Sequence, residues 1–287
     1  MEIGIFTRTF TGALDEILDA IVGHGLTCAH LSVASAGVAG LPGKLDEDLC
    51  VAVRGAFERR GLRMVTVSGT FNAIHPDPTV RKQGIRGVQR LIQACDALGT
   101  RMVTFCTGTR NRNNMWQYHP DNIKREAWAD LLSTLGALIP TAEAHGVMLG
   151  IEPDQGNVVD SAIKARMLLD EMKSKQLRIV LDGANLFHHH ALSDMTVVLK
   201  EAFELLGPDI EIVHAKDITG DDTKKNQAAG TGLLDWPTYF RLMKSSGFDG
   251  PLLLHNMKPS QVATSVQFVR RQVARWYPEL GNTRELM

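Results

Sequence analysis

The chain has no surplus of either charge, no closely spaced cysteine pair and no apolar run long enough to cross a membrane. Each absence removes a class of protein. Against 31 lysines and arginines stand 32 aspartates and glutamates, a formal net charge of −1. Nothing in that balance would neutralise a phosphate backbone, so no nucleic-acid partner is expected. The four cysteines, Cys28, Cys50, Cys95 and Cys106, lie far apart and form no Cys-x-x-Cys pair. That usage fits a reduced, cytoplasmic protein whose thiols behave as small buried apolar groups. The opening Met-Glu-Ile-Gly-Ile-Phe lacks a basic leader segment. No stretch approaches the roughly 18 apolar residues of a membrane span, so no membrane partner is expected either.

A Pro/Ser-rich linker is missing too, which leaves 1–287 as one expected domain although the length could hold two. No Gly-x-Gly-x-x-Gly follows an early strand, which counts against a nucleotide-binding fold.

What the chain does contain is one phrase repeated: amphipathic helix, glycine, short apolar strand, polar residue. The pattern predicts strands at 3–9, 28–34, 63–69, 101–108, 148–153, 178–183, 211–217 and 251–256. Helical spacing marks 14–24, 48–60, 80–98, 128–145, 162–173, 236–246 and 260–277. Gly25, Gly61, Gly99, Gly146 and Gly247 precede strands, where a left-handed backbone ends a helix. Nearly all-apolar strands alternating with helices indicate a parallel sheet covered by helices. Eight such units favour closure, and the expected fold class is an α/β single (β/α)8 TIM barrel.

In such a barrel the chemistry gathers at the C-terminal ends of the strands. The last four predicted strands end Gly-Ile-Glu152, Val-Leu-Asp182, Ile-Val-His214 and Leu-Leu-His255. Each sets an ionisable residue after two apolar ones, at the same expected depth. Burying four such groups is costly unless they share a partner. One divalent metal ion is the expected cofactor, and mixed O and N donors suit Mn, Co, Zn or Fe(II) better than Mg or Ca.

These residues are where the chain resembles the sugar phosphate isomerase/epimerase group of the xylose isomerase-like TIM barrel superfamily. The resemblance covers nearly the whole chain. It rests on Gly-Ile-Glu152-Pro, Val-Leu-Asp182-Gly-Ala-Asn185, His214-Ala-Lys216-Asp217 and Gly230-Thr-Gly232-Leu-Leu-Asp235-Trp236. It implies that Glu152, Asp182 and His214 ligate the metal. It also implies a small sugar-like substrate and a homodimer or homotetramer. The fourth position departs, because His255 stands where such relatives carry glutamate. In the ketose epimerases of the group two ligand glutamates serve as acid and base, and that pair does not carry over. Asn185 stands where many relatives contact substrate with histidine. The superfamily's apurinic endonucleases hold three zinc ions through extra histidines. Here the third and fourth strands offer Thr66-Val-Ser68 and Thr104-Phe-Cys106 instead, so DNA repair is not expected.

The implied chemistry is removal of a proton beside a polarised carbonyl, with isomerisation or epimerisation of a sugar or keto-polyol as the outcome. Glu152 is the expected base and Lys216 an electrostatic partner or proton donor, with a strand-end ion pair to Asp182 or Asp217 as its plain alternative. Two other functions stay open: a lyase or dehydratase acting on a keto-inositol or keto-glycoside, and a non-catalytic sugar-binding barrel. Loop residues Asn72, His75, Arg110, Trp116 and His119, with Asn185, are the expected substrate contacts, although Asn and His-Pro are also ordinary turn chemistry. The run His188-His189-His190 is set aside as a metal site, since adjacent side chains do not converge on one ion. A lone Gly230-Thr-Gly232 is weak grounds for phosphate binding.

Overall fold

The computed structural model of the chain describes residues 1–38, 40–43, 45–187, 189–220 and 227–280. Its strands are β1 (Ile3–Phe6), β2 (Cys28–Leu31), β3 (Arg63–Ser68), β4 (Met102–Cys106), β5 (Met148–Glu152), β6 (Leu177–Asp182), β7 (Ile210–Asp217), the short β8 (Gln227–Ala228) and β9 (Leu252–Leu254). All but β8 pair in parallel. The ring runs β1 through β7 in order, then to β9 and back to β1, so the sheet closes into an eight-stranded barrel. The expected strands fall in place but run too long at most ends: after Phe6 the chain turns into a 3-10 segment, Thr7–Thr9, instead of extending to residue 9.

The helices are α1 (Leu14–Gly23), α2 (Glu47–Glu58), α3 (Pro78–Leu98), α4 (Arg125–His145), α5 (Ala162–Met172), α6 (Met195–Leu206), α7 (Trp236–Ser245) and α8 (Val262–Trp276). Local signals set their ends. The Asp77 carboxylate accepts from Thr79 N (2.8 Å) with Pro78 in the first turn, and Gly99 closes α3 at φ 76°. Helix α6 completes the eight units, although its stretch carries no marked helical spacing in the sequence. It contains Val197-Val198, and β-branched residues form helix weakly.

Two cores result. The larger lies between strands and helices; the smaller fills the barrel with Phe6, Cys28, Val65, Met102, Val180, Ile212 and Leu253, packed by Met148. All four cysteines are free thiols and buried. Side chains alternate along a strand. Stepping two residues from this inner layer therefore reaches Thr104 and Cys106 on β4 and Glu152 (four from Met148) on β5. The same step reaches Asp182 on β6, His214 and Lys216 on β7, and His255 just past β9. The barrel's own packing aims these groups into its mouth. At Gly150, between Met148 and Glu152, an added Cβ would stand 2.5 Å from Met102 Cε, so glycine there lets the inner layer close.

The register corrects one expectation. Asp182 pairs directly with His214, but Ile151 pairs with Ile179 and His214 with Leu253. Glu152 and His255 are thus offset from their neighbours along the strands, as strand tilt in a closed barrel requires. The four residues meet because the barrel is sheared, not because they share one level of the ladder.

Candidate metal centre and substrate cavity

The four strand-end residues converge. Glu152, Asp182, His214 and His255 each offer a ligand atom, and these atoms lie within 4.8 Å of one another. Asp182 Oδ2 is the hub, 2.9 Å from Lys216 Nζ, 3.3 Å from His255 Nδ1 and 3.4 Å from His214 Nδ1. Its Oδ1 accepts from Ala184 N (3.0 Å). Glu152 Oε1 lies 3.3 Å from His214 Nδ1 and accepts from Asn185 Nδ2 (2.8 Å). Lys216 also donates to Asn185 Oδ1. Phe6 backs the cluster, stacking on His255 at 4.4 Å between centroids and on His30 at 4.0 Å.

The charges show what the cluster lacks. Burial works to raise the Glu152 carboxyl, but the close imidazole of His214, with His255 behind it, outweighs burial and holds it below its ordinary value. Burial likewise opposes ionisation of Asp182, yet Lys216 and both imidazoles keep it well below the usual carboxylate range. His214 feels burial in the opposite sense, and the two carboxylates still lift it to about 9. Burial takes His255 down to about 4, with Asp182 resisting. The carboxylates thus draw a positive charge onto the point where they meet His214. Neither ring nitrogen of this buried histidine has a geometrically sound hydrogen bond; its carboxylate contacts are close but poorly directed. An orphaned imidazole beside two ionised carboxylates is a donor set that fits a divalent cation.

Glu152, His214 and His255 lie on the floor of a cavity of about 1060 Å³, walled by Arg8, His30, Trp116, Tyr118, Asp154 and Asn185 among others, with Asp182 buried beneath them. Metal donors at the bottom of a roomy, mixed-polarity pocket are the arrangement of a small-molecule site. With fold and site in hand, the sequence matches the profile of the xylose isomerase-like TIM barrel family over residues 18–272. The chain belongs to that family.

No curated protein matches the sequence. Solved structures of the same fold include a D-tagatose 3-epimerase-like protein (TM-score 0.75, 18% identity, 98% of this chain and 100% of that one). Another is the apo form of 3-keto-D-glucoside 4-epimerase, YcjR, from E. coli (TM-score 0.68, 18% identity, 94% and 99%). A third is the IOLI protein with a bound zinc atom (TM-score 0.72, 18% identity, 96% and 98%). At these identities the likeness is one of fold.

Within this xylose isomerase-like barrel the expected substrate contacts divide. Asn185 and Trp116 line the cavity, Trp116 with 52% of its surface exposed. The other four stand outside it, their side chains committed elsewhere. Asn72 clamps the loop after β4, donating to Thr109 O (2.8 Å) and accepting from Thr109 N (2.9 Å). His75 Nδ1 accepts from Asp77 N (3.1 Å), and Arg110 pairs with Asp130 (2.6 Å). His119 caps a 3-10 turn by accepting from Asp121 N (3.2 Å). These are turn and scaffold contacts. His188 lies outside the described residues. Lys216 pairs with Asp182, not Asp217, which points to the other face of β7. Asp217 instead accepts from Gly230 N, Leu234 N and Trp236 Nε1 (each 2.9 Å), so the Gly230-Thr-Gly232 loop is folded onto a carboxylate.

Sequence reasoning missed Phe6, Arg8 and His30. Phe6 and His30 come from β1 and β2 and Arg8 from the 3-10 segment after β1, where no run of ionisable residues stands at matched positions. The alternation Cys28-Ala-His30 in an otherwise apolar strand was the one available signal.

Proposed function

We propose that this barrel is a metal-dependent isomerase or epimerase of a small sugar or keto-polyol. The observation that carries the proposal is the state of Glu152. Both of its contacts fall on Oε1, while Oε2 has no protein partner among the described residues and the residue lines the cavity. A carboxylate held ionised, with one oxygen anchored and the other facing the substrate space, is placed to accept a proton from carbon.

Glu152, Asp182, His214 and His255 would hold a divalent cation, Mn, Co, Zn or Fe(II), which would supply polarisation of a carbonyl and charge neutralisation. Asn185 fixes Glu152 by donating to Oε1 and is itself fixed by Lys216. Burial opposes charge on Lys216, but Asp182, Glu152 and Asp154 overcome it and raise its pKa, so it stays an ammonium. Lys216 therefore acts as a fixed positive charge and hydrogen-bond donor at the cavity floor, not as a base. With His255 after β9, the described residues offer no second carboxylate opposite Glu152. This favours proton removal and return on one face, the pattern of aldose–ketose isomerisation. The same absence keeps a lyase in play, since loss of a β-hydroxyl shares the first step and needs one base.

Two measurements test the proposal. Protein purified without added metal should carry close to one equivalent of a transition metal by elemental analysis. In D2O, NMR should show deuterium entering beside the carbonyl of a keto sugar or inosose, and Glu152→Gln should slow that exchange by at least about 10²-fold. Metal-replete protein that exchanges no α-proton from any such compound would sink the isomerase and lyase readings together and leave a binding protein.

A further inference from the structure

The cavity holds one more group with no assigned part. Arg8 follows β1 and is exposed at the mouth, its guanidinium 5.0 Å from the Phe6 ring centroid. Its one hydrogen bond among the described residues is to His255 Nε2 (2.9 Å), a neutral acceptor. Other cations nearby are already matched to carboxylates: Lys216 to Asp182 (2.9 Å), Lys164 to Asp160 (2.6 Å), and Arg81 and Arg110 to Asp130 (2.9 and 2.6 Å). Arg8 has no such partner among the described residues.

Position sharpens the contrast. In the ring of strands β1 stands opposite β5, four steps away in either direction. The acids of the cavity, Glu152, Asp154 and Asp160, lie on β5 or the loop after it, and Asp182 is on the adjoining β6. The cavity is therefore polarised, with carboxylates on one wall and a guanidinium on the other. Arginine is only a donor, and its planar fork matches a carboxylate or phosphate better than a single ring nitrogen.

We infer that Arg8 is a specificity-determining residue that binds an anionic oxygen group, carboxylate or phosphate, on the substrate, so that the preferred substrate is a charged sugar derivative. The inference rests on the sugar-binding function proposed above and narrows its substrate class.

The test is calorimetric titration of Mn²⁺-supplied protein with D-fructose, D-fructose 6-phosphate, 5-keto-D-gluconate and inorganic phosphate, in wild type, Arg8→Met and Arg8→Lys. At least one charged ketose should bind wild type about tenfold or more tightly than fructose. Arg8→Met should erase that advantage and Arg8→Lys should keep part of it. The tighter of the two charged ketoses identifies the anion. Manganese content and thermal melts on the same samples keep a lost metal or a misfolded variant from passing for a lost contact. If no ketose binds but inorganic phosphate binds in an Arg8-dependent way, the anion subsite stands and the sugar function falls. If the charged ketoses keep their advantage in Arg8→Met, if fructose binds as well as they do, or if no anion binds through Arg8, the inference is overturned.

Discussion

Lys216 is the residue on which the charge balance of the site turns. A lysine that is 2% exposed is tolerable only because Asp182 and Asn185 accept hydrogen bonds from its ammonium. Removing it leaves Asp182 ionised and short of a partner at the barrel floor. In metal-free protein Lys216→Met should cost about 3 kcal/mol in urea denaturation, the scale for breaking one half of a buried pair. The loss should shrink when Mn²⁺ is supplied, because a cation on Asp182 replaces the missing charge. A full loss in both conditions would mean that the cation does not reach Asp182.

At the scale of elements, the loop between β4 and α4 carries Trp116 and Tyr118 to the cavity, and buried asparagines hold it there. Asn122 accepts from Arg110 N (2.7 Å) and donates to Gly156 O (3.1 Å), tying this loop to the one after β5. Asn157 accepts from Gly108 N (2.5 Å) at the loop's start. Asn72 clamps it from the loop after β3. Replacing Asn122 with alanine strands a buried amide N–H and a carbonyl. The expected cost is about 2 kcal/mol, with faster proteolytic cleavage within 107–122 and no change in metal content. Unchanged proteolysis would show that the loop is held by its other contacts alone.

Across the whole molecule, the eight parallel strands close on themselves and place Glu152, Asp182, His214 and His255, from β5, β6, β7 and the end of β9, at one mouth. No helix among the described residues is long and apolar enough to cross a membrane. Because four consecutive strands offer candidate donors, a cation bound there would tie one half of the ring together, and binding only the folded form would stabilise it. Free metal at a hundred times its dissociation constant should add about 2.7 kcal/mol. Stripping the protein with EDTA should lower its melting temperature by several degrees, and Mn²⁺ should restore it. A melting temperature indifferent to both would count against a cation shared by the four strands.

The repeat of helix, glycine and apolar strand was enough to indicate a (β/α)8 barrel, because hydrophobic period and turn chemistry are local and every unit repeats them. The Glu152, Asp182, His214 and His255 set was legible for the same reason: each follows two apolar residues at a strand end. Tertiary structure decided the rest. Asn72, His75, Arg110 and His119 look like recognition groups in a line of text, yet each gives at least one polar atom to loop backbone or to Asp130, partners that only folding supplies. Arg8 and His30 gave little signal alone. They enter the cavity because closing the ring sets β1 beside β9 and β2 next to β1, and adjacency across a closed sheet is a property of the barrel's geometry, not of any stretch of sequence.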